Sequence, residues 1–184
     1  MVMLAMRIDE ANERQPQLAR VSKSKVRVYI NHREEEREST EGEEKHTVYI
    51  ADFIEVESAS NDALEVAKQA VSDAILAHDS SAAVNEFTLQ GVPMWLDKAT
   101  RAGLKLRLEA EQAAGKEETT LWYGTAAVTL PVSTAMVMLN RLEIYASECY
   151  DVTQGHLAHV AMLNSVEEVL GYNIEVGYPE KLNL

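Results

Sequence analysis

The chain has 184 residues, enough for one ordinary domain or two small ones, and its 46% hydrophobic content supports a real core. A formal net charge of −13 repels phosphates and acidic headgroups, which argues against ordinary DNA or RNA binding and against a membrane-surface role. A basic protein partner, or the chain itself acting as an acidic DNA mimic, stays open. The single cysteine, Cys149, allows no intramolecular disulfide and suits a reducing cytoplasm or a phage particle. The opening "MVMLAMRIDE" is too short an apolar run for a secretory leader, and no stretch reaches the ~18 apolar residues of a membrane helix. The expected localisation is cytoplasmic or virion-associated.

Residues 1–20 are ambiguous: Leu4, Ile8 and Ala11 stand at helical spacing, and Pro16 ends any helix. "KVRVYIN" then alternates Val26, Val28 and Ile30 against Arg27, Tyr29 and Asn31, the pattern of a half-buried strand. "HTVYIADFIEVE" repeats it with Val48, Ile50, Ile54 and Val56, and Asp52 interrupts the apolar face, which predicts a bulge or an edge there. Between the two, "REEERESTEGEEK" reads as a charged loop turning at Gly42. Glu34, Glu35, Glu36, Glu38, Glu41, Glu43 and Glu44 crowd it with like charge, so an exposed, mobile hairpin tip is expected.

"SASNDALEVAKQAVSDAILAHDSS" is an amphipathic helix, capped by Ser60 or Asn61, with Leu64, Ala67, Val71, Ala74 and Ile75 on one face. It reads as a spacer, followed by a linker at "HDSSAAVN". Phe87 and Leu89 lie on one strand face, and Gly91 and Pro93 turn the chain. Asp97 caps a helix to about Ala114, with Ala102, Leu106, Ala110 and Ala113 as its stripe, Leu104 and Leu108 beside it, and Gly115 as its terminator. "TTLWYGTAAVTL" is strand-like. Ser133 caps the next helix, which turns Ala135, Leu139, Leu142, Ala146 and Cys149 to one side, and Thr153 caps a further one. Ser165 and Glu168 form a capping box for a short helix stopped by Gly171. The tail is extended, with Ile174 and Val176 alternating.

This pattern predicts an α+β protein: an N-terminal β-hairpin module (1–58), a connecting helix and linker (59–83), and a helix-rich module with a small antiparallel sheet (84–184).

Chemistry-bearing constellations are sparse. His156 and His159 lie three apart on one helix, but a metal site needs a further ligand from another element and none is identifiable, so both read as surface histidines. The glutamates cluster where water solvates them, without the burial or crowding that splits an acid/base pair. Cys149 sits on an apolar helix face as a small buried hydrophobe. There is no Gly-x-Ser-x-Gly elbow and no phosphate-binding glycine loop. No catalytic residue, metal or cofactor is expected. Trp95 and Trp122 each stand near a strand–helix junction, where the core position is favoured and an exposed platform is the alternative. With Tyr123 they are the candidate residues for a glycan- or peptide-binding groove.

From about Asn85 to Leu184 the chain resembles a family of uncharacterised phage and prophage proteins found among tail-fibre and tail-assembly proteins. The resemblance is carried by "FTLQGVPMWLDKATRAGL", "TTLWYGTAAVTLPVSTAMVMLNRLEIYASECYDVTQGH" and "VGYPEKLNL". The early "RIDEANERQPQLARVSKSKVRVYINH" is more loosely similar to phage-encoded leaders that precede such domains. The resemblance implies a non-enzymatic structural or assembly role and carries over no catalytic residue. The expectation is a tail-region accessory or assembly protein that contacts a protein partner, such as a tail component. Glu34, Glu35, Glu36 and Glu38 would steer docking, and a homo-oligomer formed through hairpin edges stays open.

Overall fold

Alternation builds the first sheet. The computed structural model describes residues 5–38, 45–89 and 91–184, with Glu38, Tyr123 and Ala126 described through the backbone alone. Strands β1 (Arg7–Ala11), β2 (Leu18–Arg20), β3 (Lys25–Glu38) and β4 (Lys45–Glu57) form one antiparallel sheet in the order β1-β4-β3-β2. Residues 1–20, where described, thus contribute two short strands and no helix. The helical spacing of Ile8 and Ala11 gives way to pairing with β4, and Ile8 stays exposed.

Val26, Val28, Ile30 and Ile54 share the face that is buried under helices. On the opposite face Tyr29 and Phe53 meet at 5.5 Å, and the Arg27 guanidinium lies 4.6 Å from the Phe53 ring centre while binding Glu55. The irregularity predicted at Asp52 falls on the partner strand. Register shifts between Ile30, opposite Asp52, and Arg33, opposite Ile50. Asn31, inside the shift, takes a left-handed φ of 54° that asparagine tolerates better than most residues, and its amide donates to the Asp52 carboxylate.

The acidic run differs from expectation. It is strand rather than loop through Glu38: Glu34, Glu35 and Glu36 pair in register with Tyr49, Val48 and Thr47. Cations make the density tolerable. Arg37 binds Glu35 at 3.1 Å and both carboxylate oxygens of Glu10 at 3.0 and 3.1 Å, and Lys45 stands 3.6 Å from Glu36. The expected turn at Gly42, with Glu41, Glu43 and Glu44, lies outside the described residues.

Helix α1 (Ala63–Asp79) is capped by Asp62, whose carboxylate accepts from the backbone N–H groups of Leu64 and Glu65, rather than by Ser60 or Asn61. Its Val66, Ala67, Ala70, Val71 and Ile75 share one core with the sheet and with Val160, Val166, Val169 and Ile174. It is therefore built into a core rather than standing as a spacer. The contacts gather into two compact units, Met1–His78 with Gln154–Val176, and Asp79–Thr153 with Gly177–Leu184.

The second unit begins where a linker was expected. Ser81 caps a single helical turn, α2 (Ala82–Asn85), by accepting from the Ala83 N–H. The ribbon of β5 (Phe87–Leu89) and β6 (Val92–Met94) follows, then α3 (Lys98–Ala113), the ribbon of β7 (Glu118–Tyr123) and β8 (Ala126–Pro131), and α4 (Val132–Met162). Ser133 falls inside α4, which does not restart at Thr153. The Thr153 hydroxyl donates back to the Cys149 carbonyl within the helix and also meets Asp79 and Tyr178. Helix α5 (Val166–Leu170) begins at Ser165, whose hydroxyl accepts from the Glu168 N–H. The tail makes no strand at Ile174 or Val176. Instead Asn183 bridges Thr88, with Leu184 N–H donating to the Thr88 carbonyl.

Candidate functional site

Short elements leave the second unit with apolar surface to spare. The turn between β5 and β6 passes through Gly91 at φ +81°, a conformation that disfavours a side chain. It returns Met94 opposite Phe87. Asp97 then opens α3: its carboxylate accepts from both the N–H and the hydroxyl of Thr100, and the backbone bond chiefly holds its pKa below the usual carboxylate range. Asp97 is a cap, not an acid. Gly115, at φ +70°, closes the helix.

The face that α3 turns inward is not the expected one. Ala102, Leu106, Ala110 and Ala113 are exposed, Leu106 to 69%, while Leu108 and Arg101 are buried. The buried face is set by Leu104 and Leu108 meeting Val132, Ala135 and Leu139 of α4 and Leu121 and Leu130 of the β7–β8 ribbon. Arg101 joins it because its charge is satisfied. Its Nε donates to Glu143 at 2.7 Å and its Nη1 to the Leu96 carbonyl at 2.8 Å.

Between these elements lies an apolar groove of about 290 Å³, walled by Leu104 of α3, Leu121, Trp122 and Val128 of the ribbon, and Met138 and Leu142 of α4. Among the described residues no acidic or basic side chain lines it, and its polar side chains are Thr100, Thr129 and Thr134. Two of those hydroxyls already bond within the protein, Thr100 to Asp97 and Thr129 to Thr120. Such a groove selects by shape and apolar area, with few polar groups to orient an occupant.

A second cavity, about 540 Å³, is lined by Asp79, Trp95, Asp97, Arg101, Glu143 and Cys149 among others. Of its charged groups, Asp97 is held by Thr100, Arg101 by Glu143 and the Leu96 carbonyl, and Asp79 by the Thr153 hydroxyl. Cys149 is buried, as its apolar face predicts, and burial pushes its thiol pKa up, the opposite of what a nucleophile needs. The neighbouring Tyr145 donates its hydroxyl to the Val84 carbonyl at 2.7 Å, and burial raises its pKa as well.

The tryptophans are not core. Trp95 is 43% and Trp122 68% exposed, and they line different cavities. Both sit on elements too short to be covered from outside. Trp122 lies on a ribbon of two strands, and Trp95 lies in the segment between β6 and α3. Tyr123 stands in the strand opposite Ala126, and its side chain lies outside the described residues. His156, expected at the surface, is buried, with Nδ1 bonded to the Tyr172 hydroxyl and Nε2 to the Val176 carbonyl, while exposed His159 stacks on Tyr172. Among the described residues no cluster of three or more His, Cys, Asp or Glu could hold a metal. Glu34, Glu35 and Glu36 are exposed along β3, and the side chain of Glu38 lies outside the described residues. No helix is long and apolar enough to cross a membrane among the described residues.

Sequence reasoning missed the groove. Its signal is Leu104 and Leu108 at i, i+4, matching Leu139 and Leu142, read in the sequence as lying beside the stripe of Ala102, Leu106, Ala110 and Ala113. Compared with known protein families, curated proteins and solved structures, the chain matches none of them.

Proposed function

We propose that this chain is a non-enzymatic accessory or assembly protein that works by protein–protein contact, with the apolar groove of its second unit receiving an apolar segment of the partner. The observation that carries this reading is the groove itself, lined by no acidic or basic side chain among the described residues and including the exposed Trp122. Exposed apolar area of this kind marks interaction surfaces. The placement among phage or prophage tail proteins rests on the resemblance over residues 85–184.

Trp122 reports on occupancy. In a Trp95→Phe background, titration with a leucine-rich amphipathic helical peptide should shift Trp122 emission to the blue as the ring leaves water. Val128→Glu, at a position 41% exposed, should abolish the shift while leaving the circular dichroism unchanged. A peptide-induced shift that survives Val128→Glu, or no shift at all, would overturn the reading.

A glycan-binding reading has its own support in Trp95, an exposed ring on a cavity that also carries Asn85 and Tyr150. Quenching of Trp95 in a Trp122→Phe background by oligosaccharides, with none on the peptide, would favour it over the groove.

A further inference from the structure

Strand β1 is the first in the sheet order, so its outer backbone edge has no strand partner among the described residues. Proteins usually blunt such an edge with charge, because an open row of N–H and C=O groups templates another strand. The charge on this edge is balanced rather than repulsive, in a chain whose net charge is −13. Arg7 and Asp9 lie on one side of the strand. Glu10, on the other, is neutralised by the two bonds from Arg37. Asp9 is held in place through Oδ2 by the Tyr29 hydroxyl at 3.1 Å. Between them Ile8 is 64% exposed, and the preceding Met6 is 41% exposed.

We infer that this edge pairs with the same edge of a second copy, antiparallel and centred on Ile8, so that the two sheets become one. The register follows from charge. Backbone groups point outward at alternate residues, so a two-fold antiparallel pairing of identical strands is centred on a residue. Centres on Arg7, Asp9 or Glu10 set identical charges opposite each other. The centre on Ile8 sets Ile8 against Ile8 and Arg7 against Asp9 of the second copy, twice over by symmetry. Cross-strand pairs of both kinds are favourable, and directly opposed like charges are not. Met6 falls opposite Glu10, whose carboxylate is already engaged by Arg37. An edge this short supports a weak dimer, with a dissociation constant on the order of micromolar to millimolar.

Sedimentation velocity over a concentration series of the whole chain tests this. The wild-type protein should pass from monomer to dimer as concentration rises. Arg7→Glu and Asp9→Lys should each weaken the dimer at least about tenfold, since each replaces two attractive contacts with two repulsive ones. An equimolar mixture of the two variants should restore association, because the mixed pair carries opposite charges at both contacts. Ile8→Lys, at an exposed position, should abolish dimerisation with unchanged circular dichroism, which guards against a folding defect in Asp9→Lys. A wild-type monomer at every concentration, single variants that dimerise like wild type, or a mixture that stays monomeric would overturn the proposal. It is independent of the groove: Val128→Glu leaves this dimer intact.

Discussion

In the first unit Val26, Val28, Ala67, Ile75, Val160 and Val169 are wholly excluded from water around one sheet, whereas in the second Leu104, Leu121, Trp122 and Val128 line a groove. The difference is one of element size. A four-stranded sheet offers a face broad enough for α1 and the end of α4 to cover, and it closes on its own apolar residues. Two ribbons, one of three-residue strands and one of six-residue strands, cannot cover the helices beside them. Their apolar residues stop at a groove. Apolar surface that a fold does not use internally is available to a partner, and in the second unit it gathers into one groove, which is why the candidate site lies there.

The comparison breaks most directly at one residue in each unit. Ile75→Ala deletes a side chain with no solvent exposure, and such truncations cost about 3 kcal/mol. Leu106→Ala removes an exposed side chain of similar size and should change stability by less than about 0.5 kcal/mol. Urea unfolding followed by circular dichroism measures both. Similar losses for the two would mean that Leu106 packs against something, and the contrast between the units would fail.

A smaller effect sharpens the comparison by showing that the second unit has a true core of its own. Tyr145 is buried with Phe87, Leu142 and Cys149, and its hydroxyl satisfies the Val84 carbonyl. Tyr145→Phe keeps the ring and leaves that carbonyl unpaired, at a cost of about 1–2 kcal/mol. Both tryptophans lie in the second unit, so their fluorescence follows its unfolding in particular. A fluorescence midpoint identical to wild type would show that water replaces the lost bond and that this core is wetter than its burial implies.

The sequence carried the first unit better than the second, for a physical reason. Alternation of period two identifies β3 and β4 because one face carries the aliphatic Val26, Val28, Ile30 and Ile54 while the other mixes charged residues with Tyr29 and Phe53, which are buried as well, and Asp52 stands opposite the register shift because it interrupts the aliphatic face. The acidic run misled because like-charge density is a statement about side chains. Pairing with β4 satisfies the backbone, and Arg37 and Lys45, both within the same sequence segment, supply the counter-charge. In α3 the periodicity supported two faces. The stripe of Ala102, Leu106, Ala110 and Ala113 fits the helical period with Leu104 and Leu108 beside it, but alanine contributes little burial area and Leu104 and Leu108 decide which face turns in. Thr153 resembled a cap because threonine caps helices often. In the interior of α4 its hydroxyl instead bonds back to Cys149 and out to Asp79 and Tyr178, partners that lie at sequence distances no local pattern reveals. The position of each tryptophan at a strand–helix junction favours the core, but the neighbouring elements are narrow and the rings stay 43% and 68% exposed.

The smallest expected effect in the second unit is set by acid. At the end of α3, Glu111 accepts from Lys116 at 2.8 Å and from Arg107 at 3.2 Å, and Arg107 reaches on to the Thr119 hydroxyl and the Thr120 carbonyl of β7. The bond from Lys116 contributes most to lowering the carboxyl from its ordinary 4.5 to about 2. A depressed carboxylate pKa stabilises the folded state above the unfolded value, and that contribution is lost as pH falls through the folded one. The second unit should therefore lose stability between about pH 4.5 and pH 2 through this residue. Glu111→Gln should be less stable than wild type at neutral pH, and the gap should narrow as pH falls through that window. Tryptophan-detected thermal melts at stepped pH measure the gap. If it stays constant from pH 5 to pH 2, Glu111 anchors α3 to the ribbon by shape rather than by charge.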